Sequence, residues 1–176
     1  MRIQRATDRD PQPWRNGRGI QYEILANGPL PDGWTWKVST ADITEDVPFS
    51  TFPNVSRQFC VADGNGVVLT IDQVEHMCRP SSVTLFQGDA EVQAQLIDGP
   101  MKALNLMTRV GDSARLHVVT SGESLSGGLL AISICGESEI TVAGERMTLG
   151  ILDAVLDLGG TDVRVDRGSV SFLIRD

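Results

Sequence analysis

The stretch EVQAQLIDGP, from Glu91 to Pro100, reads as a strand and the turn that stops it. Val92, Ala94 and Leu96 alternate with Glu91, Gln93 and Gln95, the period-two pattern of a strand with one buried and one wet face. Asp98-Gly99-Pro100 then supplies turn chemistry. The same alternation recurs outward in both directions, at Val67, Leu69 and Ile71, at Leu130, Ile132 and Ile134, and at Val170, Phe172 and Ile174. Ile140 and Val142 follow a turn expected at Gly136-Glu137. Other turn signals are Asn27-Gly28-Pro29, Pro31-Asp32-Gly33, Asp63-Gly64-Asn65-Gly66, Gly127-Gly128 and Gly159-Gly160. With 18 Gly and 8 Pro, long helices are disfavoured. Only Ile151–Leu158 could pass as a short helix, and its flanking turns favour a strand. Many short strands at close spacing predict an all-β sandwich or barrel.

The composition narrows the function. A chain of 176 residues, 41% hydrophobic, can bury a core as one domain or two small fused ones. The net charge of −8, with 15 dispersed Lys and Arg, argues against nucleic acid, whose phosphates must be neutralised. No apolar run approaches the ~20 residues of a membrane span. The polar start MRIQRATDRDPQPW does not read as a signal peptide. Cys60, Cys78 and Cys135 are too scattered for a disulfide framework, so the cytoplasm is the expected location.

A weak internal echo divides the chain. Gly64–Gly66 and Gly136-Glu137 are each expected to open a hairpin. Gln87-Gly88-Asp89-Ala90 and Gly150-Ile151-Leu152-Asp153-Ala154 each open a further strand. We expect an N-terminal barrel over residues 1–120 and a C-terminal half over residues 121–176, packed as one unit. GESLSG, Gly122–Gly127, misses the G-x-S-x-G nucleophile spacing by one residue and reads as a Ser/Gly loop joining the halves. No phosphate-binding glycine loop is present. A catalytic metal needs three protein ligands, and His76 and His117 are the only two histidines. His76 and Cys78 share one face of a strand, with Asp72 a candidate third ligand, but no H-x-H pair occurs. We therefore expect no metal and no cofactor.

Demanding residues crowd the first two-thirds: PWRNGRGIQYEI (13–24), WTWKVSTADI (34–43) and PFSTFPNVSRQF (48–59), followed by FQGD (86–89) and LIDGPMKALNLMTR (96–109). In this order they resemble the HutD/Ves family of small bacterial proteins. The family pattern runs roughly W-K-N-G-G-G-x-T, W-x-x-S-x-A, F-S-x-F-P-G-x-x-R, D-G-P and D-F-N-x-M. Trp14, Asn16, Gly17, Gly19, Trp36, Ser39, Ala41, Phe49, Ser50, Phe52, Pro53, Arg57, Asp98, Gly99, Pro100, Asn105 and Met107 match it. Arg18 and Asn54 stand where it has Gly, Gln21 where it has Thr, and Ala103-Leu104 where it has Asp-Phe. The resemblance covers about Trp14 to Arg109. It implies a double-stranded β-helix (cupin) fold, with two cupin-like barrels packed together. It also implies a role around histidine utilisation, such as sensing urocanate or N-formylglutamate, whereas the Ves branch is linked to stress or cold responses. No established reaction comes with it.

An apolar wall with a few convergent polar groups suits a small molecule. The expected ligand-binding residues are Arg15, Asn16, Trp36, Ser39, Ser50, Phe52, Arg57, Phe86 and Asn105. Arg57 or Arg15 would clamp a carboxylate with paired hydrogen bonds, although Arg57 could instead be a structural partner of Asp42. Trp34 and Trp36 alternate onto one face of a strand and Lys37 and Ser39 onto the other. Trp14 is read as a plug anchoring the N-terminal segment, with Gly17 and Gly19 allowing its turn. The expected partner is a small carboxylate or imidazole ligand, bound without metal and without catalysis. The alternatives are a metal-independent isomerase or lyase using Asp42, Asp98 or His76, and a protein–protein adaptor. Cupins often dimerise through sheet edges, so a homodimer is compatible with the resemblance.

Overall fold

The computed structural model describes Met1–Pro29 and Asp32–Arg175, so Pro31 of the expected Pro31-Asp32-Gly33 turn lies outside the described residues. The chain divides into a unit of Asp10–Asp112 and a unit of Met1–Arg9 with Ser113–Asp176. The first strand, β1 (Arg2–Gln4), belongs to the second of these. The Asp10–Asp112 unit holds β2 (Pro11–Pro13), β3 (Ile20–Asn27), β4 (Trp36–Ile43), β5 (Val47–Pro48), β6 (Val55–Asp63), β7 (Val67–Ile71), β8 (Val74–Cys78), β9 (Val83–Gln87), β10 (Val92–Leu96) and β11 (Met101–Arg109). The other unit continues with β12 (Arg115–Thr120), β13 (Ser124–Leu125), β14 (Gly128–Val142), β15 (Glu145–Leu149), β16 (Ala154–Leu156) and β17 (Val163–Ile174). One 3-10 turn at Ala6–Asp8 is the only helical element among the described residues, and no helix is long and apolar enough to cross a membrane.

The Asp10–Asp112 unit is a sandwich of two open sheets, ordered β2-β3-β4-β11-β6-β9 and β5-β10-β7-β8. Its strands do not close into a hydrogen-bonded barrel. The core between the sheets joins Ala41, Ile43, Phe59, Val61 and Ala103 to Val47, Val67, Leu69, Val92 and Ala94. The alternation at 91–96 is realised in β10, with Val92 and Ala94 buried and Gln93 and Gln95 exposed. Gly64–Gly66 leads into a hairpin, as expected: it carries the chain from β6 in one sheet to β7 in the other, and the β7–β8 hairpin that follows is closed by Asp72 (φ 45°) and Gln73 (φ 72°). Two successive positive φ angles match the twist of the flanking strands.

The other unit is one seven-stranded sheet along β1-β16-β14-β17-β12, with β13 on β17 and β15 on β14. The turn expected at Gly136-Glu137 is instead an irregularity inside β14, where the register on β17 shifts between Ile134 and Glu139. Cys135 (φ 58°) and Gly136 (φ 119°) take up the extra chain. Ser133 Oγ donates to Gly136 O at 2.8 Å, which holds the kink closed. The Gly122–Gly127 segment does not join the two units. It lies within the second, where Ser124–Leu125 pairs with β17. The first nine residues also go with this unit, because β1 pairs with β16.

Candidate functional site

One face of the six-stranded sheet carries polar side chains in register. Lys37 on β4 is the Cα partner of Met107 on β11, and Met107 is the partner of Arg57 on β6. In the next row Glu23 pairs with Ser39, Ser39 with Asn105 and Asn105 with Phe59. These rows form the floor of a cavity of about 610 Å³, lined also by Trp14, Arg15, Gln21, Asp32, Trp34, Phe49, Ser50 and Phe52. That size falls within the range of small-molecule pockets.

Arg57 is 6% exposed and has no carboxylate partner among the described residues. Its Nη1 donates to Ser50 O at 3.2 Å and its Nη2 to Asn105 Oδ1 at 3.4 Å. Its Nε is buried without a partner. Three rings surround the guanidinium: Phe86 at 4.9 Å, Phe49 at 5.2 Å and Phe52 at 5.7 Å from centroid to Cζ. Such contacts attract a cation but satisfy none of its N–H donors. Burial lowers the Arg57 pKa to about 10, which still leaves it charged at neutral pH. The acid that could have neutralised it, Asp42, is instead paired with Lys102 at 2.6 Å.

A second cation lies across Met107. The Lys37 ammonium sits 5.2 Å from the Trp34 ring and 5.6 Å from the Phe52 ring. Burial lowers the Lys37 pKa, and the nearby Glu23 charge opposes that shift. Burial likewise raises the Glu23 pKa, with Lys37 opposing. Arg15 packs over Phe52 at 5.1 Å and pairs with Asp32 at 3.1 Å on the exposed rim. Arg109 holds the segment behind this rim: Nε donates to Trp34 O at 3.0 Å, Nη2 to Asp32 O at 2.9 Å, and its Cζ lies 4.7 Å from the Trp34 ring.

Two local devices place the apolar wall. The Trp14 amide donates to Gly19 O at 2.9 Å, so Trp14–Gly19 closes on itself and sends the indole edge-on against Phe49 at 5.9 Å. Gly88 lets Phe52 come in: the Phe52 amide donates to Gly88 O and the Gly88 amide to Val55 O, each at 2.6 Å. A Cβ on Gly88 would collide with Phe52 O and lie 2.8 Å from Val55 O, so only glycine fits at this close approach. Asn54 has φ 60°, and Asn is the residue besides glycine that takes this conformation most readily. Arg18 has no such angle and its amide simply donates to Asn16 Oδ1 at 3.1 Å.

Arg15, Ser39, Ser50, Phe52, Arg57 and Asn105 line the cavity. The structure places the other three expected residues around it rather than in it. Trp36 alternates to the opposite face of β4, where it is buried and its Nε1 has no partner. Phe86 backs the Arg57 guanidinium from β9. Asn16 braces the wall, its Nδ2 donating to Pro48 O at 3.0 Å and its amide to Ser50 Oγ at 3.3 Å. Lys37, Glu23, Asp32 and Trp34 also line the cavity, although none was among the expected ligand-binding residues. Trp34 lies just before β4 begins, so strand alternation does not govern it. Ala103 packs in the apolar core and not in the cavity. Among the described residues no three His, Cys, Asp or Glu side chains gather as a metal set.

Comparison with known proteins adds a family model described as HutD, which matches residues 6–171. A 21.2 kDa uncharacterised protein from the hutC 3′ region of Pseudomonas putida is 32% identical over 169 residues, covering 92% of this chain and 88% of that protein. Protein Ves of Citrobacter koseri is 36% identical over 98 residues, covering 54% of this chain and 51% of Ves. The solved structure of HutD from Pseudomonas fluorescens SBW25, in a formate condition, superposes with a TM-score of 0.79 at 31% identity, covering 99% of this chain and 98% of that one. A cupin 2 conserved barrel domain protein from Leptotrichia buccalis superposes at 0.59 with 9% identity, covering 90% and 89% of the two chains, which shows the cupin fold alone.

Proposed function

The chain belongs to the HutD family, and from that premise we propose that its cavity binds a small carboxylate, as a sensor or modulator of histidine utilisation rather than as an enzyme. Urocanate and N-formylglutamate are the ligands of first choice. The observation that carries this function is Arg57: a buried, charged guanidinium at the cavity floor with a vacant Nε–H and no acidic partner among the described residues. An unpaired buried cation is costly, and a carboxylate against the guanidinium offsets that cost. A charge-assisted hydrogen bond there contributes about 1.5–3 kcal/mol. Ser39, Ser50 and Asn105 supply neutral polar groups nearby, and Phe49 and Phe52 supply apolar wall. The location proposed is the cytoplasm.

The experiment is a thermal-shift titration with urocanate and N-formylglutamate against the wild type and Arg57→Ala. Saturation at about 100 times the dissociation constant adds roughly 2.7 kcal/mol of stability. A rise in the wild-type melting temperature that disappears in Arg57→Ala is the expected result. An equal rise in both proteins, or none in the wild type, overturns the proposal. Absorbance assays on the same samples should show binding without turnover.

A further inference from the structure

A carboxylate on Arg57 leaves Lys37 without an occupation. The two residues stand in one cross-strand row, on either side of their shared Cα partner Met107. Neighbouring strands lie about 4.8 Å apart, so the two backbones are separated by roughly 10 Å while both side chains leave the same face. Their charged ends then converge on one ring, with Lys37 Nζ 5.6 Å and Arg57 Cζ 5.7 Å from the Phe52 centroid. Two cations drawn toward one ring repel each other unless anionic charge joins them.

The lining supplies little of that charge. Its carboxylates are Asp32 and Glu23. Asp32 is already paired with Arg15. Glu23 and Lys37 attract each other through their charges, but among the described residues no hydrogen bond or ion pair joins them, and burial disfavours the charged form of Glu23. Two cations therefore face one partly buried carboxylate. Met107 stands between them in register, Phe52 lies near both, and Trp34 lines the same cavity, a setting for a short hydrocarbon chain.

We propose that the ligand is a dicarboxylate, with one carboxylate on Arg57 and the other on the Lys37 ammonium, and that Lys37 is the residue that selects two anionic groups over one. This rests on the reading of the cavity as a carboxylate site. An ammonium is a compact charge with three donors, suited to one end of a flexible diacid, while the guanidinium fork fixes the other.

Calorimetric titration at constant ionic strength, with glutarate as the diacid and butyrate as the monoacid, tests this. The wild type should bind glutarate about tenfold tighter or more, the equivalent of one added charge-assisted contact. Lys37→Met should abolish that margin, bringing glutarate down to the affinity of butyrate, whereas Lys37→Arg should keep most of it. Equal wild-type affinity for the two probes, or Lys37→Met weakening both alike, overturns the proposal. Where both probes bind equally and both are lost in Arg57→Gln, the carboxylate site stands and only the dicarboxylate assignment falls. If neither probe binds the wild type, both fall together.

Discussion

Gly19 lies so close to Trp14 that a methyl group on it would sit 2.6 Å from Cε2 of the indole. The glycine is there because the ring packs against its backbone, and that ring is part of the cavity wall. Gly19→Ala should displace the indole and destabilise the protein by about 1–3 kcal/mol, the usual range for overpacking. For a chain of this size that is a melting temperature lower by roughly 2–4 °C per kcal/mol. In a Trp14→Ala background the same substitution should cost far less, because its steric partner is gone.

Lys37 carries a cost in the free protein. Its pKa is lowered on folding, chiefly by burial. The unfolded chain therefore holds that proton more tightly, and stability should rise with pH between the lowered value and the ordinary lysine value of 10.5. Below that window Lys37→Met should be more stable than the wild type, because it removes a charge that burial disfavours. Denaturant unfolding from pH 7 to 10.5 checks both points; a variant less stable at pH 7 would show that the ring contacts outweigh burial.

Asp42 is a half-exposed partner of Lys102, and Tyr22 Oη donates to it at 3.4 Å. Asp42→Asn should cost under about 1 kcal/mol, as exposed ion pairs do. It should leave the thermal shift given by carboxylates intact. Loss of that shift would place Asp42 in the site after all.

Asp153 ties the first residues to the C-terminal strands. Its Oδ1 accepts the Ala6 amide at 2.8 Å, and its Oδ2 accepts the Gly150 amide at 2.9 Å and Arg5 Nη1 at 2.7 Å. Asp153→Ala leaves these donors without an acceptor and should destabilise by about 2–4 kcal/mol. Hydrogen exchange should quicken at Arg2–Gln4 and Ala154–Leu156 well before the Asp10–Asp112 unit responds.

Alternation made several strands legible, among them β7 and β10, because one face packs in the core and the other is more exposed. On β4 it separated Trp36 from Lys37 and Ser39, but nearly every residue there is buried on one face or the other, so the pattern did not say which face lines the cavity. A polar side chain marks cavity as readily as solvent on such a strand, which is why the sequence reads Trp36 as a wall and does not mark Lys37 as part of the site. Arg57 was legible as a cavity residue, but its lack of an acidic partner among the described residues was not, since only the fold shows that Asp42 is taken by Lys102. The kink in β14 reads locally as a turn, because glycine serves both, and only the pairing with β17 distinguishes them.

The pairing of β1 with β16 also has a bearing on biosynthesis. Asp10–Asp112 is contiguous and has every strand it needs once it has left the ribosome, so it can fold while translation continues. The other unit is stitched from both ends of the polypeptide and waits for β17, whose neighbours include β12, β13 and β14. Until then β1 has no partner strand, and a nascent chain stalled after Asp112 should carry the native cavity of the Asp10–Asp112 unit beside an unpaired Arg2–Gln4 segment.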